Sequence, residues 1–367
     1  MRVEKLKIKN FRNISDLCLE PCNGVNIIWA DNAQGKTSLL EAIWLFCGDK
    51  SFRGAKESEL ISHGEDRLQL ELNFNSGDRD QIAEIAYSKN EKIIRLNDIK
   101  LSSSSELGES FKSVIFSPDH LWIIKHGPEK RRKLLDTALC QMYPKYCKAL
   151  EGYSKILRQR SMLLKDIYYH PSLIDTLDSW DIQAVEYGSY IAFMRSRYVD
   201  SLLKRACEIY SGISSGRENL TMKYSAGINV SCETKDRSEW RSMLSEAMIK
   251  AREDDLKYAQ TTIGPHRDDL LVEIDGISAR MFASQGQQRS CVLAIKLAEC
   301  EIITAFSGEP PVVLLDDVLS ELDKSRKDYL LSGLSGKQIF ITCCDDFLLQ
   351  SFKGGKIFSM KAGELFT

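Results

Sequence analysis

The sequence predicts an α/β fold in which a β-rich N-terminal part and an α/β C-terminal part form one domain, interrupted by a mainly helical lobe. VNIIW (25–29) is an apolar run that feeds directly into ADNAQGKTSLLEA (30–42), a strand–loop–helix sequence. LQLELNF (68–74) puts Leu68, Leu70, Leu72 and Phe74 on one face, as a half-buried strand does. PVVLLDDVLSELD (311–323) is a second apolar run, and it ends in consecutive carboxylates.

The elements follow in order. MRVEKLKIKNF alternates charge with Val3, Leu6 and Ile8, a strand pattern without the apolar core of a signal peptide. FKSVIF (111–116) is a strand closed by Ser117-Pro118, after a loop at Ser102–Ser105. The N-terminal part of the head is placed at 1–125. Gly127-Pro128 then opens a helix with proline in its first turn, and Leu134, Leu135 and Ala138 form its apolar side. Leu150, Tyr153, Ile156, Leu157 and Leu164 mark the next helix, Trp180 through Leu203 a long one, and Trp240, Leu244, Ala247 and Ala251 another. The helical lobe therefore spans 126–258. From 259 to 367 the head resumes: LLVEI, a turn at Asp275-Gly276, a strand at ISARMF, then strand, helix and strand at PVVLL, SRKDYLLSGL and QIFIT.

Composition excludes several classes. No apolar run approaches the ~20 residues that span a bilayer, so a cytoplasmic protein without a membrane partner is expected. Eleven cysteines, an odd number with no C-x-x-C among them, suggest neither a disulfide framework nor a zinc site. Net charge is only −2, but residues 121–166 carry eleven Lys/Arg against four acids, a local +7 that leaves the remainder at −9. Such a segment reads either as a solvated helix face or as a phosphate-binding stripe, with Arg131, Arg132, Lys155, Arg158 and Arg160 the candidates for phosphate contact.

The loop at 30–37 matches G-x-x-x-x-G-K-[ST] except that Ala30 stands at the first glycine. A loop between strand and helix aims backbone N–H groups and the positive end of the helix dipole at an anion. Ala30, Asp31, Asn32, Ala33 and Gln34 form its arc, and Gly35 lets a phosphate approach the backbone. Lys36 can reach β/γ oxygens, and Thr37 offers a hydroxyl to Mg²⁺. Where the strand PVVLL ends, Asp316 is a hard oxygen ligand for Mg²⁺ and Asp317 a base for the attacking water. ATP and Mg²⁺ are thus the expected cofactors. Ser284, Gln285, Gly286 and Gln287 precede another apolar helix and form either a plain N-cap or a second anion cradle. Two cradles far apart in sequence make sense when two subunits sandwich the nucleotide.

Loop, serine–glycine stretch and acidic strand, in this order around a helical insertion, resemble the head of ATP-binding-cassette ATPases. In detail the chain resembles the RecF family of bacterial recombination mediators, through KNFRNI (9–14), NAQGKTSLLEAI (32–43), KSFR (50–53), FSPDHL (116–121), GPEKRRKLLD (127–136), GPHRDDL (264–270), FASQGQQR (282–289) and LLDDVLSELD (314–323). These stretches cover nearly the full length. The resemblance implies an ABC-type P-loop ATPase head, an ATP-dependent homodimer on single-stranded, gapped or junction DNA, and RecR and RecO as partners. It implies roles in recombinase loading at gaps, replication and the SOS response, with weak DNA-stimulated hydrolysis as a reset. It also implies that Arg12 and Asn13 border the nucleotide, although an exposed strand-end pair fits them equally.

The departures from a cassette ATPase are definite. Asp317 replaces the usual glutamate, Cys343-Cys344-Asp345 occupies the place of a switch histidine, and FSPDH contains no glutamine. GPHRDDL reads as a structural turn with an internal His266–Asp268 or Arg267–Asp269 pair. Two other classes remain open at this point: the motor subunit of a transporter, which usually carries the switch histidine and glutamine, and a P-loop small-molecule kinase, which needs no second cradle.

Overall fold

The structure, a computed structural model, describes residues 1–89, 91–228, 236–344 and 354–366. The chain starts with strands β1 (Arg2–Phe11), β2 (Ile14–Leu19) and β3 (Val25–Trp29), then helix α1 (Lys36–Leu45). Four strands follow, β4 (Arg67–Ser76), β5 (Arg79–Ser88), β6 (Lys92–Leu96) and β7 (Ile99–Lys100), then the short α2 (Leu107–Ser110) and β8 (Ser113–Phe116). Helices α3 (Trp122–Lys125), α4 (Pro128–Met142), α5 (Pro144–Tyr169) and α6 (Leu177–Ser214) lead to β9 (Leu220–Ser225). Next come α7 (Arg237–Lys250), α8 (Arg252–Tyr258), β10 (Asp269–Ile274), β11 (Ile277–Ser278) and the single turn α9 (Ala279–Phe282). The chain closes with α10 (Gln285–Ser307), β12 (Val312–Asp316), α11 (Lys324–Gly333), β13 (Ile339–Cys343), β14 (Lys356–Lys361) and β15 (Glu364–Phe366).

Two compact units emerge: one of Met1–Leu121, Arg205–Glu218 and Gln285–Thr367, the other of Trp122–Lys204 and Asn219–Ser284. The first unit contains two six-stranded sheets. One is antiparallel, in the order β2-β1-β4-β5-β6-β7, and the other runs β15-β14-β3-β13-β12-β8. In the second sheet every pairing is parallel except β14 with β15. Helix α1 contacts both sheets, through β1 on one side and β8, β12 and β13 on the other. That explains its sequence: SLLEAIWL is buried on all sides, so no polar stripe is present. Leu68, Leu70, Leu72 and Phe74 of β4 face the same core, in agreement with their alternation.

The second unit is helical with a three-stranded antiparallel sheet, β11-β10-β9. Asp275 and Gly276 join β10 to β11 with both φ angles positive, 51° and 77°, as a tight hairpin turn demands. The expected strand at ISARMF stops at Ser278. Ala279–Phe282 turns helical instead, with Ala283 N–H returning to Ala279 O at 3.3 Å, and leaves Met281 and Phe282 exposed. Ala, Arg and Met are strong helix formers, which favours the turn once pairing ends.

Among the described residues, the ten cysteines are free thiols, and no helix is long and apolar enough to cross a membrane.

Candidate functional site

Parallel pairing decides where the chemistry gathers. Trp29 lies opposite Cys343, and Thr342 opposite Asp316, so β3, β13 and β12 all end at one edge of the sheet. The loop after β3, the carboxylates after β12 and the cysteines after β13 therefore meet at the carboxyl ends of the strands, where open α/β sheets place their ligands.

Gly35 turns the loop into α1 at φ +111°, which side-chain-bearing residues rarely adopt. A Cβ there would stand 2.8 Å from Met360 Cε and 3.0 Å from Asn13 Nδ2. No side chain caps the first turn of α1 and no acid lies in it, so its N–H groups and dipole are left to an external anion. A cavity of ≈ 350 Å³ opens there, lined by Asn13, Asn32, Ala33, Lys36, Thr37 and Asp317 among others. That is the size of a small-ligand pocket.

Ala30 is tolerated for a simple reason. Left-handed φ in this loop falls on Ala33 (+65°) and Gly35, not on Ala30. Ala30 is 2% exposed, its methyl belongs to the core, and its N–H donates to Cys343 O at 3.2 Å. Its carbonyl accepts from Lys36 Nζ at 2.8 Å. Lys36 also donates to Asp31 O at 2.9 Å and to Cys344 Sγ at 3.0 Å. Asn32 Oδ1 accepts from Cys344 Sγ at 3.1 Å. Gln34 is turned to the β14–β15 hairpin: its Oε1 accepts from Ala362 N–H at 2.6 Å and its carbonyl from Gly363 N–H at 3.1 Å. Asp345 lies outside the described residues.

Asp316 ends β12 in a buried position. Its Oδ1 accepts from Thr37 Oγ1 at 2.9 Å and from Thr342 Oγ1 at 3.0 Å. Burial raises its pKa; the two hydroxyl donors pull it down, Asp317 pushes it up and Arg53 opposes that. Asp317 sits at φ +51°, with its N–H held by Thr342 Oγ1 at 2.9 Å. The strained backbone places it on the cavity wall. Among the described residues no group of three His, Cys, Asp or Glu could hold a metal. Thr37 and Asp316 could hold Mg²⁺ only with phosphate and water completing its shell, which is the usual arrangement for that ion.

The Arg12 guanidinium grips Glu41 through Nε and Nη2, both at 3.0 Å, and is not among the residues that line the cavity. Glu41 is fully buried on α1, so this pair is internal. Asn13 does line the cavity and accepts from Ser38 Oγ at 3.0 Å. Arg53, absent from the sequence-derived candidates, also lines it. The hint lay in KSFR, but only the path of the chain after α1 brings the guanidinium here.

Gln285, Gly286 and Gln287 form the first turn of α10, with Ser284 exposed just before it. Gln287 Nε2 donates to Glu218 Oε1 at 2.9 Å. None of these three lines the cavity in the same chain.

Two of the five DNA-contact candidates are buried. Arg160 is 0% exposed and bonds Asp181 at 2.7 Å and Asp255 at 2.6 Å. Arg131, 4% exposed, makes a two-pronged pair with Asp269 and donates to the carbonyls of Ile123 and His126. Neither charge is available to a phosphate. Arg132 is partly buried and donates to Asp268 O at 2.8 Å. Lys155 and Arg158 remain exposed on α5, together with Lys148 and Lys165, and none of these four makes an ion pair among the described residues.

GPHRDDL contains neither internal pair expected of it. His266 contacts Tyr153 OH and Thr261 O, both at 2.9 Å, Asp268 accepts from Tyr224 OH and Gly227 N–H, and Asp269 holds Arg131. Each partner comes from elsewhere in the helical unit.

The sequence model of the family described as RecF/RecN/SMC N terminal domain matches residues 2–362. A DNA replication and repair protein RecF of Agathobacter rectalis is 40% identical over 368 residues, covering all of this chain and 99% of that protein. Two solved structures superpose over 99% of the chain. One is the recombination mediator protein RecF-ATPrS in the RecFOR pathway, with TM-score 0.93, 37% identity and 97% of its own chain covered. The other is RecF-ATP in the same pathway, with TM-score 0.91, 38% identity and 96% covered.

Proposed function

Because the chain belongs to the RecF family, we propose that it is an ATP-dependent DNA-binding protein of replication and recombinational repair, in which ATP binding drives dimerisation and slow hydrolysis resets it. The observation that carries this reading is the convergence of Lys36, Thr37, Asp316 and Asp317 at one sheet edge, over an uncapped helix start.

The residues fit ATP and Mg²⁺. The close approach that only Gly35 permits and the free first turn of α1 suit phosphate oxygens. Lys36 neutralises the β/γ end, exchanging its loop carbonyls for phosphate oxygens. Thr37 and Asp316 hold Mg²⁺, which when bound neutralises charge on the transferring phosphoryl group. Asp317 orients the attacking water and accepts its proton. Ser284–Gln287 complete the site of a second copy. With aspartate as the base and no histidine at Cys343–Cys344, turnover falls below ~1 s⁻¹ and serves as a timer.

DNA lies along the exposed cations of α5, Lys148, Lys155, Arg158 and Lys165. The solved relatives act in the RecFOR pathway, so RecO and RecR are the proposed partners, with recombinase loading at gaps and SOS induction as the outcome in the cytoplasm. Titration of labelled gapped DNA with and without ATP–Mg²⁺ tests the reading. Affinity should rise with the nucleotide and fall steeply with salt; equal affinity in both states contradicts it.

A further inference from the structure

Helix α5 ends in two adjacent tyrosines that are among the most exposed apolar side chains of the described residues. Tyr168 is 83% and Tyr169 75% exposed, and their rings meet edge to face with centroids 5.1 Å apart. Neither hydroxyl has a hydrogen-bond partner among the described residues. The local apolar cluster of Leu164, Ile167 and Leu177 closes without them. A single exposed aromatic needs no explanation, but an edge-to-face pair open to water at a helix end does.

Their position along the helix supplies one. Lys148, Lys155, Arg158, Met162, Lys165 and Tyr169 follow at intervals of three, four or seven, so they lie on one face. All six are exposed. The track is about 30 Å long at ~1.5 Å per residue. Glu151 and Asp166 are exposed in the same segment, yet the four cations outnumber them. A polyanion fits such a track, and what stands at its end is not another charge but two exposed aromatic rings.

We propose that Tyr168 and Tyr169 form a base-stacking platform for single-stranded DNA at the end of this cationic track. The inference rests on the DNA-binding reading above and names the substrate form. In a duplex the base faces are buried in the stack, so only phosphates and base edges meet a protein surface. In a single strand each base has an open face, and stacking on an aromatic side chain is favourable whatever the sequence. The track would hold phosphates of either form, while the tyrosine pair rewards the single strand alone. A strand end or gap margin would then run along α5 and place its unpaired bases at the tip.

The test measures affinity for a labelled oligothymidylate and for a blunt duplex of equal length, at several salt concentrations with ATP–Mg²⁺ present. Both rings stand in solvent, so the Tyr168→Ala/Tyr169→Ala variant should keep the wild-type melting temperature. It should bind the single strand at least tenfold more weakly and the duplex within twofold of wild type. The salt slope should not change, because no phosphate contact is lost. Tyr168→Phe/Tyr169→Phe should restore single-strand binding to within twofold. Unchanged single-strand affinity in the alanine variant, or an equal loss on both DNAs, overturns the proposal. Lys148→Glu/Lys155→Glu/Arg158→Glu separates the two readings: it should weaken both DNAs and flatten the salt slope. If it does so while the tyrosine variants behave as wild type, the track stands and the platform falls.

Discussion

Thr37 and Asp316 are joined across 279 residues of sequence by one hydrogen bond of 2.9 Å, from the threonine hydroxyl to the carboxylate Oδ1. It ties the first turn of α1, where Thr37 lines the cavity, to the buried end of β12. Replacing either should uncouple magnesium from the nucleotide. Thr37→Ala and Asp316→Asn should each lower hydrolysis by roughly 10²-fold, the scale of losing one preorganised electrostatic contact. ATP affinity measured in EDTA should change little. Equal Mg²⁺ dependence in wild type and both variants would remove this pair from the metal site.

Lys36 spans the loop to the carbonyls of Ala30 and Asp31, and Lys36→Ala takes away the cation that would exchange them for charge-assisted hydrogen bonds to phosphate worth about 1.5–3 kcal/mol each. ATP affinity should drop at least ~10-fold by calorimetry, while the nucleotide-free protein still unfolds cooperatively, at a lower midpoint because the carbonyls of Ala30 and Asp31 lose their donor. Wild-type affinity in this variant would sink the phosphate-loop assignment.

Arg160 serves stability, not DNA. It is held by Asp181 and Asp255, so Arg160→Ala leaves Asp255 without its cation in the interior of the helical unit, while Asp181 keeps Arg252. A loss of about 3–5 kcal/mol in unfolding free energy is expected. Lys155→Ala removes an exposed side chain and should stay within ~0.5 kcal/mol of wild type. Urea titrations of both proteins check the contrast.

His266 gives the helical unit an acid-sensitive point. Burial lowers its pKa from 6.5 to about 4; the charges of Arg267 and Arg132 act in the same direction, against the Thr261 carbonyl and Asp255. The unfolded chain therefore takes up this proton first as pH falls. The stabilisation is complete above pH 6.5 and is lost progressively toward pH 4, up to about 3 kcal/mol. Asp268, whose carboxyl burial raises, works in the opposite sense, so the pH dependence must be read as wild type minus His266→Gln. A difference that stays flat between pH 6.5 and 4 would show that His266 is charged in the fold.

Much of the head was legible because its signals are local. The run VNIIW followed by Gly35, Lys36 and Thr37 contains strand, turn and helix start within thirteen residues, and the structure builds each of them there. The alternation in β4 likewise needs only its own residues. Charge was misleading where burial depended on distant partners. Arg131 meets Asp269 from 138 positions away, and nothing near it in sequence announces that it is inside. Arg158 and Arg160 look alike in sequence, yet one faces solvent and the other is sealed, because a shift of two residues on a helix moves a side chain to another face. The pairing of Arg12 with Glu41 spans two elements and shows in neither stretch alone, and Arg53 was overlooked because no local pattern says where KSFR returns. The exposed tyrosines of α5 are invisible to a reading that counts aromatics as core.

The switch itself is tested most directly by light-scattering mass of the protein alone, with ATP–Mg²⁺, and with ATP–Mg²⁺ and gapped DNA, for wild type and Asp317→Asn. Asp317 lines the cavity, and its amide should leave ATP binding intact while stopping the proton transfer that ends the cycle. The predicted result is a monomer without nucleotide, a wild-type dimer that decays as ATP is consumed, and an Asp317→Asn dimer that persists on DNA. A mass that is the same with and without ATP–Mg²⁺ in both proteins would contradict the account.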